Sequence, residues 1–423
     1  MSNELNVYLR GHKVGQLWLD AGRRFVFAYD ADWLAGATAV PLSLRLPLRA
    51  EPYEDERARP FFANLLPESE LRRVIARKLG LSEQNDFALL EAVGGECAGA
   101  VSLLPDNTQP TGEGSYRVLS DDELNDLVDE LPKRPMLAGE AGIRLSLAGA
   151  QNKLPVLFNK QQVSVPLGDA ASSHILKPPI VHYPHTVENE YFCMCLAQRV
   201  GLSVPSVTLL HKRSSLYLVE RYDRKHKKQN DIERVHQEDF CQALGIAPDQ
   251  KYEKEGGPSL QRCFTLLREQ SVLPVADIRS LLDWVIFNYL IGNADAHGKN
   301  ISLLLTQDGP HLAPFYDLMC TAVYPELTDR LAMKISGEDR PDWVIERRWQ
   351  AFSKEIGIAY KLVRQRLVYL KEAVLDAAMQ LMHEEHIKNN PCEVYESIIA
   401  IIRRRSTKIT NMLNAAHDEA TAQ

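Results

Sequence analysis

A chain of 423 residues exceeds one typical domain of roughly 100–200 residues, so two or three compact units are expected. With 45% hydrophobic and 25% charged residues it has the composition of a soluble globular protein able to bury a sizeable core. The net charge of −7 argues against a chain dedicated to nucleic acid, while leaving room for a local basic patch.

The first hundred residues read as short strands with one or two helices. Segments 6–10, 14–19 and 24–29 are partly alternating runs, separated by Gly11-His12-Lys13 and Asp20-Ala21-Gly22 turns. Residues 65–79 follow Asn64 with apolar side chains at helical spacing. Residues 105–116 (PDNTQPTGEGSY) have the composition of a linker and mark a boundary. Strand patterning returns at 153–158, 163–166 and 174–177, and a helix is predicted over 187–200, stopped by Gly201. Segments 204–210 and 216–221 then pair as a hairpin across 212–215. Beyond residue 235 the texture is helical, with apolar stripes at 278–291, 355–384 and 394–413.

The seven cysteines (Cys97, Cys193, Cys195, Cys241, Cys263, Cys320, Cys392) are odd in number and lack a CxxC pair with matching histidines. Reduced core thiols are therefore expected rather than a disulfide or metal framework. The start of the chain has no apolar run behind a basic stretch, and no run of about 18 apolar residues occurs. A cytoplasmic protein without a membrane span is the expectation.

Asn293-Ala294-Asp295-Ala296-His297-Gly298-Lys299-Asn300, directly after an apolar helix, is the sharpest chemical signal. An Asp five residues before an Asn matches the kinase catalytic loop HRDxxxxN, in which the Asp meets the acceptor hydroxyl and the Asn reaches a magnesium ion on ATP. An Asx-rich turn that merely caps helices would look similar. Pro314-Phe315-Tyr316-Asp317 follows, with Asp317 in the order of the magnesium-holding Asp of a DFG element, although no Phe-Gly comes after it. His174-Ile175-Leu176-Lys177 resembles the VAIK strand whose Lys reaches the α/β-phosphates; Glu190, with Glu188 as its rival, could pair with that lysine. A solvated strand lysine is the bland alternative.

Ser146-Leu147-Ala148-Gly149-Ala150-Gln151-Asn152-Lys153 is a small-residue loop whose N–H groups could approach phosphate, or a plain hairpin turn. Glu220-Arg221-Tyr222 falls where an adenine-reading hinge belongs. The order of these elements, more than any one of them, points to a bilobed kinase.

Taken together the motifs resemble the HipA-type toxin kinases of bacterial toxin–antitoxin pairs. The resemblance runs along the whole chain and is carried by RLSLAGAQNK (144–153), HILKPPI (174–180), ENEYFCMCLAQRVGLSVP (188–205), VERYDR (219–224), HQEDFCQALG (236–245), NADAHGKN (293–300) and PFYDL (314–318). PLSLRLPL (41–48) and FFANLLPES (61–69) look like the family's N-terminal subdomain. The resemblance implies an α+β, protein-kinase-like fold with a β-rich N-terminal subdomain (1–110), a kinase N-lobe (111–222) and an all-α C-lobe (223–423).

It also implies ATP and Mg2+ as cofactors, and Asp295 as the catalytic base. Asn300 and Asp317 would hold metal. Ala148, Gly149, Ala150, Gln151, Asn152, Lys153, Lys177, Glu220, Arg221, Tyr222, His297, Lys299, Asn300, Tyr316 and Asp317 would line the nucleotide site. Ser146 matches the family's autophosphorylated serine. There the roughly −1.5 to −2 charges of a phosphoryl group would repel ATP and switch the kinase off.

The implied partners are a HipB-like antitoxin, operator DNA through the antitoxin complex, and a protein substrate, an aminoacyl-tRNA synthetase in some family members; no membrane is involved. Arg347 and Arg348 could face DNA, as could the basic runs 224–228 and 403–405, although a solvated helix face is the readier explanation of each. Ala296 departs from the glycine frequent in the family's loop. A small-molecule phosphotransferase of the same broad fold and an inactive DNA-bound corepressor are the competing readings.

Overall fold

The computed structural model describes residues 3–106, 108–110, 112–140, 142–228 and 231–421, and divides into two compact units. The first comprises Met1–Ile180, Leu210–Asp249 and Leu303–Gly309; the second comprises Val181–Leu209, Gln250–Ser302 and Pro310–Gln423.

In the first unit the three expected N-terminal strands form at Glu4–Leu9, His12–Leu19 and Phe25–Tyr29, joined by a fourth at Val101–Pro105. They make an antiparallel sheet with the Val101–Pro105 strand beside the first. Val7 and Leu9, and Phe25 and Phe27, are buried at the two-residue spacing that alternation dictates; Val14, left over at the register shift between Val7 and Tyr8, is buried too, as is Leu17. Phe27 packs on Tyr29 and Phe62, which brings the Asp55–Ala63 helix onto the sheet.

The helix expected from residue 65 starts at Ser69 instead. Residues 65 and 66 close turns on the preceding helix through Leu65 N–H to Phe62 C=O and Leu66 N–H to Ala63 C=O. Pro67, which has no N–H and disfavours helical backbone before it, separates the two helices. The expected linker 105–116 is likewise shorter, because Gly114–Val118 is a strand; Asn107 and Thr111 lie outside the described residues.

A six-stranded sheet follows, in the order Gly114–Val118, Gln162–Gly168, Leu154–Asn159, His174–Lys177, Ser215–Glu220, Val207–His211. The predicted strands and hairpin are all present in it. Short strands also occur at Arg224–Lys228, Asp231–Arg234, Gln237–Asp239, Ser302–Thr306 and Gly309–Leu312, inside the stretch expected to be wholly helical. Asp308-Gly309 behind an aliphatic run is a hairpin signal, and it outweighs the helical texture there.

Segment 223–249 belongs with the first unit for a packing reason: buried Glu238 accepts from the Ser43 hydroxyl at 2.6 Å and the Leu44 N–H at 2.9 Å. Burial pushes the Glu238 carboxyl up to about 7, against these two hydrogen bonds, which pull it down. An acid raised in the folded state binds protons more tightly folded than unfolded, so its stabilising effect is complete below about pH 4 and is lost as pH rises through 7. Glu238→Gln, which mimics the neutral acid, is expected to flatten the pH dependence of Tm between about pH 4.5 and 7.5 and to raise Tm at pH 8. Thermal melts of both proteins across that range check it.

The second unit is built on the helices Thr186–Arg199, Leu260–Gln270, Pro274–Ile291, Glu346–Glu355, Tyr360–Leu381 and Glu393–Thr421. The predicted 187–200 helix ends as expected, with Gly201 at φ +86°, where a Cβ would be strained. That helix packs with the second unit because Phe192 stacks on Tyr395 and the Asn189 amide bonds Cys320 C=O. The expected 355–384 helix is Tyr360–Leu381; Glu355 ends the preceding helix, and Gly357, at φ +65°, lies between the two.

All seven cysteines are free thiols, five of them buried, and burial pushes Cys263 and Cys320 up to about 12. Among the described residues no helix is long and apolar enough to cross a membrane.

Candidate active site

The loop 293–300 is built from the helix before it. Pro274–Ile291 is almost entirely buried over its last three turns, and Gly292 ends it in left-handed backbone. Asn293 then folds back, its amide donating to the Asn288 side-chain oxygen at 2.8 Å. The Asn293 side-chain oxygen in turn accepts from the Asp295 N–H at 3.0 Å. Thr321 fixes the same turn by accepting from Ala294 N–H and donating to Gly292 C=O.

Asn300 Nδ2 donates to Asp295 C=O at 2.9 Å, which closes the loop between the two residues whose spacing defined the motif. His297 is buried, its Nε2 4.0 Å from an Asp295 carboxylate oxygen, whereas the Asp295 side chain is 51% exposed. These bonds fix the Asp295 main chain and leave its carboxylate half exposed. Ala296 does not take a positive φ, so alanine in place of glycine adds no backbone strain.

Tyr316 and Asp317 follow on the same unit. Tyr316 hydroxyl donates to Lys299 C=O at 2.6 Å and lies 2.8 Å from Ser302 Oγ, so the PFYD segment is tied to the end of the loop. Asp317 has φ +53°, a conformation that costs a non-glycine residue roughly 1–2 kcal/mol and clusters at functional sites. The Cys320 N–H, bonded to Asn189 Oδ1 at 2.8 Å, anchors the chain just after it.

In the first unit, Lys177 ends its strand opposite Tyr217 and is buried. The solvated-lysine reading therefore fails. Glu190, in the second unit, is buried as well, while Glu188 is partly exposed. The small-residue loop is tethered at several points. Gly149 C=O accepts from Glu68 N–H, Lys153 Nζ donates to Ala148 C=O, and Gln151 Nε2 reaches Pro178 C=O at 3.4 Å, beside the lysine strand. Gly149 has φ +111°, and a Cβ there would lie 2.5 Å from Lys153 Nζ. Ser146 is fully buried, its hydroxyl donating to Leu65 C=O at 2.8 Å.

Arg221 turns its guanidinium into a buried ionic cluster instead of a ligand site. It donates to Asp223 at 2.7 Å and 2.9 Å and lies 3.3 Å from Glu96, which Arg224 contacts at 3.0 Å. Burial opposes ionisation of Asp223, but Arg221 and Arg224 outweigh it and hold the carboxyl well below its usual range. Burial and Arg221 push Arg224 down to about 10. The main-chain N–H of Arg221 is bonded to Ser173 C=O.

Arg224 thus corrects the expectation that residues 224–228 are a solvated helix face: they form a strand, and its first residue is buried. Arg405 is buried too, over the Tyr289 ring. Arg348 donates to Ser336 C=O at 2.9 Å, leaving Arg347 as the exposed member of that pair.

Sequence reasoning missed Glu96, Asp223 and Tyr252. A lone acid within Val93-Gly94-Gly95-Glu96-Cys97-Ala98 was a usable signal for the first, because a charge in so apolar a run needs a buried partner. Tyr252, whose hydroxyl donates to Asp295 Oδ1, carries no local signal.

Comparison with known proteins places this geometry in context. A family model described as the HipA N-terminal domain matches residues 5–104, and one described as the HipA-like C-terminal domain matches residues 145–408. Y4mE of Sinorhizobium fredii is 44% identical over 386 residues, covering 90% of this chain and 92% of that protein. The serine/threonine-protein kinase toxin HipA of Shewanella oneidensis is 32% identical over 392 residues, 89% of each chain. The solved complex of Shewanella oneidensis HipA, HipB and operator DNA matches with a TM-score of 0.83 at 30% identity, covering 97% of both chains.

Proposed function

The chain belongs to the HipA family of toxin kinases, and from that premise we propose that it transfers the γ-phosphoryl group of ATP to a serine or threonine of a protein. The loop in which Asn300 locks onto the Asp295 main chain while the Asp295 carboxylate stays half exposed carries the reading. In the proposed reaction the acceptor oxygen bonds to the γ-phosphorus as the bridge to ADP breaks, and Asp295 receives the hydroxyl proton. Lys177 and the Ala148–Lys153 loop hold the phosphates, and Gly149 lets the main chain approach closely. Glu220 and Tyr222 border the adenine, with Arg221 fixing that hinge from behind. Glu190 serves as partner to Lys177, and His297, Lys299 and Tyr316 complete the nucleotide side.

The donor set fits magnesium. Asn300 uses its amide nitrogen on Asp295 C=O, leaving its oxygen, and Asp317 adds a carboxylate; both are hard ligands. Mg2+ bound by Asn300 and Asp317 would neutralise charge on the phosphates. The strain at Asp317 is consistent with a residue held for that task. The proposed functional segments are 1–110, 111–222 and 223–423, bounds that differ from those of the compact units, where 181–209 belongs to the second unit and 223–249 to the first.

Self-phosphorylation of Ser146 is the proposed off-switch. A phosphoryl group on a buried hydroxyl that faces the Leu65 carbonyl oxygen would place negative charge against a lone pair, so the loop would have to leave. By the same family reasoning, a HipB-like antitoxin and operator DNA are the proposed partners. Arg347 is the exposed candidate for DNA, and the cytoplasm is the proposed location. Incubation of the whole chain with labelled ATP and magnesium tests the activity. Label on the protein itself, absent in Ser146→Ala, is expected; turnover of a small acceptor without self-labelling would favour the small-molecule phosphotransferase instead.

A further inference from the structure

Asp295 is engaged at three points, and two of them are internal to its own loop. Its N–H is held by Asn293, and its C=O by the Asn300 amide and the His297 N–H, which fixes the main chain. Its carboxylate is held by a residue from elsewhere: the Tyr252 hydroxyl donates to Asp295 Oδ1. A hydroxyl hydrogen-bonded to this carboxylate is what an acceptor serine or threonine must present on the reading given above. Tyr252 thus holds the position of an acceptor while no acceptor is bound. We propose that Tyr252 is an acceptor-side gate, whose phenol covers the base at rest and must rotate away before an acceptor hydroxyl can bind. This rests on Asp295 being the base.

The surroundings of Tyr252 favour a gate that moves as a side chain on a fixed main chain. Its carbonyl accepts from the N–H groups of Glu255 and Gly257, both at 2.9 Å. The next residue is pinned twice, by Glu253 N–H to Ala332 C=O and by the Glu253 carboxylate accepting from Lys334 N–H at 2.6 Å. The ring is only partly buried, with its edge to the His297 ring at a centroid distance of 5.1 Å and an interplanar angle of 85°. The edge contact with His297, the hydrogen bond to Asp295 and the Lys251 and Lys254 ammonium groups, 5.4 Å and 5.6 Å from the ring centroid, hold the closed position, and rotation about two side-chain torsions would exchange the tyrosine hydroxyl for an incoming one. A fold that needed Tyr252 only for packing would not direct its one polar atom at a half-exposed carboxylate.

A gate lowers apparent acceptor affinity by the fraction of time it is open, and removing it returns that factor. Water is the acceptor available in every assay: it attacks the γ-phosphorus, the bridge to ADP breaks, and its proton passes to Asp295. Tyr252→Phe keeps the ring against His297 and removes only the hydroxyl. With the full chain, ATP and magnesium, ADP release without added acceptor is expected to rise about three- to tenfold in Tyr252→Phe, the range for losing one hydrogen bond of ordinary net strength. KM for ATP should be unchanged, and the rise should be absent when Asp295→Asn is combined with it.

Equal or slower hydrolysis in Tyr252→Phe, including none in either protein, would overturn the gate. Slower turnover would make Tyr252 a residue that supports the base rather than covers it. Self-labelling of the wild type in the same samples keeps a flat result from being charged to an inactive kinase. Undiminished hydrolysis in Asp295→Asn would instead remove the reading of Asp295 as the base.

Discussion

Asp295→Asn is expected to lower phosphoryl transfer by about 10²–10⁴-fold, the usual contribution of a positioned acid–base group, with the fold intact. The substitution keeps the shape of the side chain and every main-chain bond of the loop, because Asn293 and Asn300 bind Asp295 through its N–H and C=O. The side chain is 51% exposed, so an amide in its place buries no new polar group. The expected change in stability is within roughly 0.5 kcal/mol, as for surface positions in general. Initial rates with labelled ATP and a thermal melt measure the two effects separately. If expression of the wild type arrests growth, the variant should relieve the arrest. Full toxicity in a correctly folded Asp295→Asn protein would mean that chemistry at this residue is not its cause.

Loss of Arg221 is expected to produce the largest change in stability. Arg221→Met removes one cation from a cluster in which Glu96, Asp223, Arg221 and Arg224 are all buried, and leaves two carboxylates short of compensation. Breaking a buried ion pair from one side costs about 3–5 kcal/mol, far above a surface pair. At roughly 2–4 °C per kcal/mol for a unit of 150–250 residues, the melting temperature should fall by roughly 6–20 °C.

The pH dependence follows from the same cluster. Asp223 and Glu96 titrate below their usual ranges because the arginines outweigh burial. A depressed acid stabilises the fold above its unfolded value of about 4, and that contribution is lost as pH falls through the folded value. The wild type should therefore lose stability on acidification below about pH 4, and Arg221→Met should show a shallower loss there. A melt of Arg221→Met that matched the wild type at neutral pH would show that the cluster contributes little.

The cluster also explains why one stretch of sequence misled. Residues 224–228 read as a basic run that solvent would cover, because a run of charges normally is. Arg224 is instead buried, since Glu96 and Asp223 lie where it points. Glu96 is more than 120 residues away in the chain, and no local pattern links the two. The same holds for Ser43 and Glu238. Pairings of this range depend on which segments the fold brings together.

What the sequence determined by itself was whatever short-range physics controls. Alternation placed the strand at Glu4–Leu9, the apolar approach to a lysine placed the one at His174–Lys177, and Gly201 stopped its helix where expected. The spacing of Asp295 and Asn300 identified a loop that a five-residue turn closes on itself. Tertiary structure alone decided which side chains are buried and with what partner: Lys177 out of solvent, Ser146 against Leu65, Arg221 in an ionic cluster, and the Tyr252 hydroxyl on the Asp295 carboxylate. Backbone preference acts between neighbours, whereas desolvation and charge pairing depend on the full set of atoms around a group, and only the folded chain specifies those.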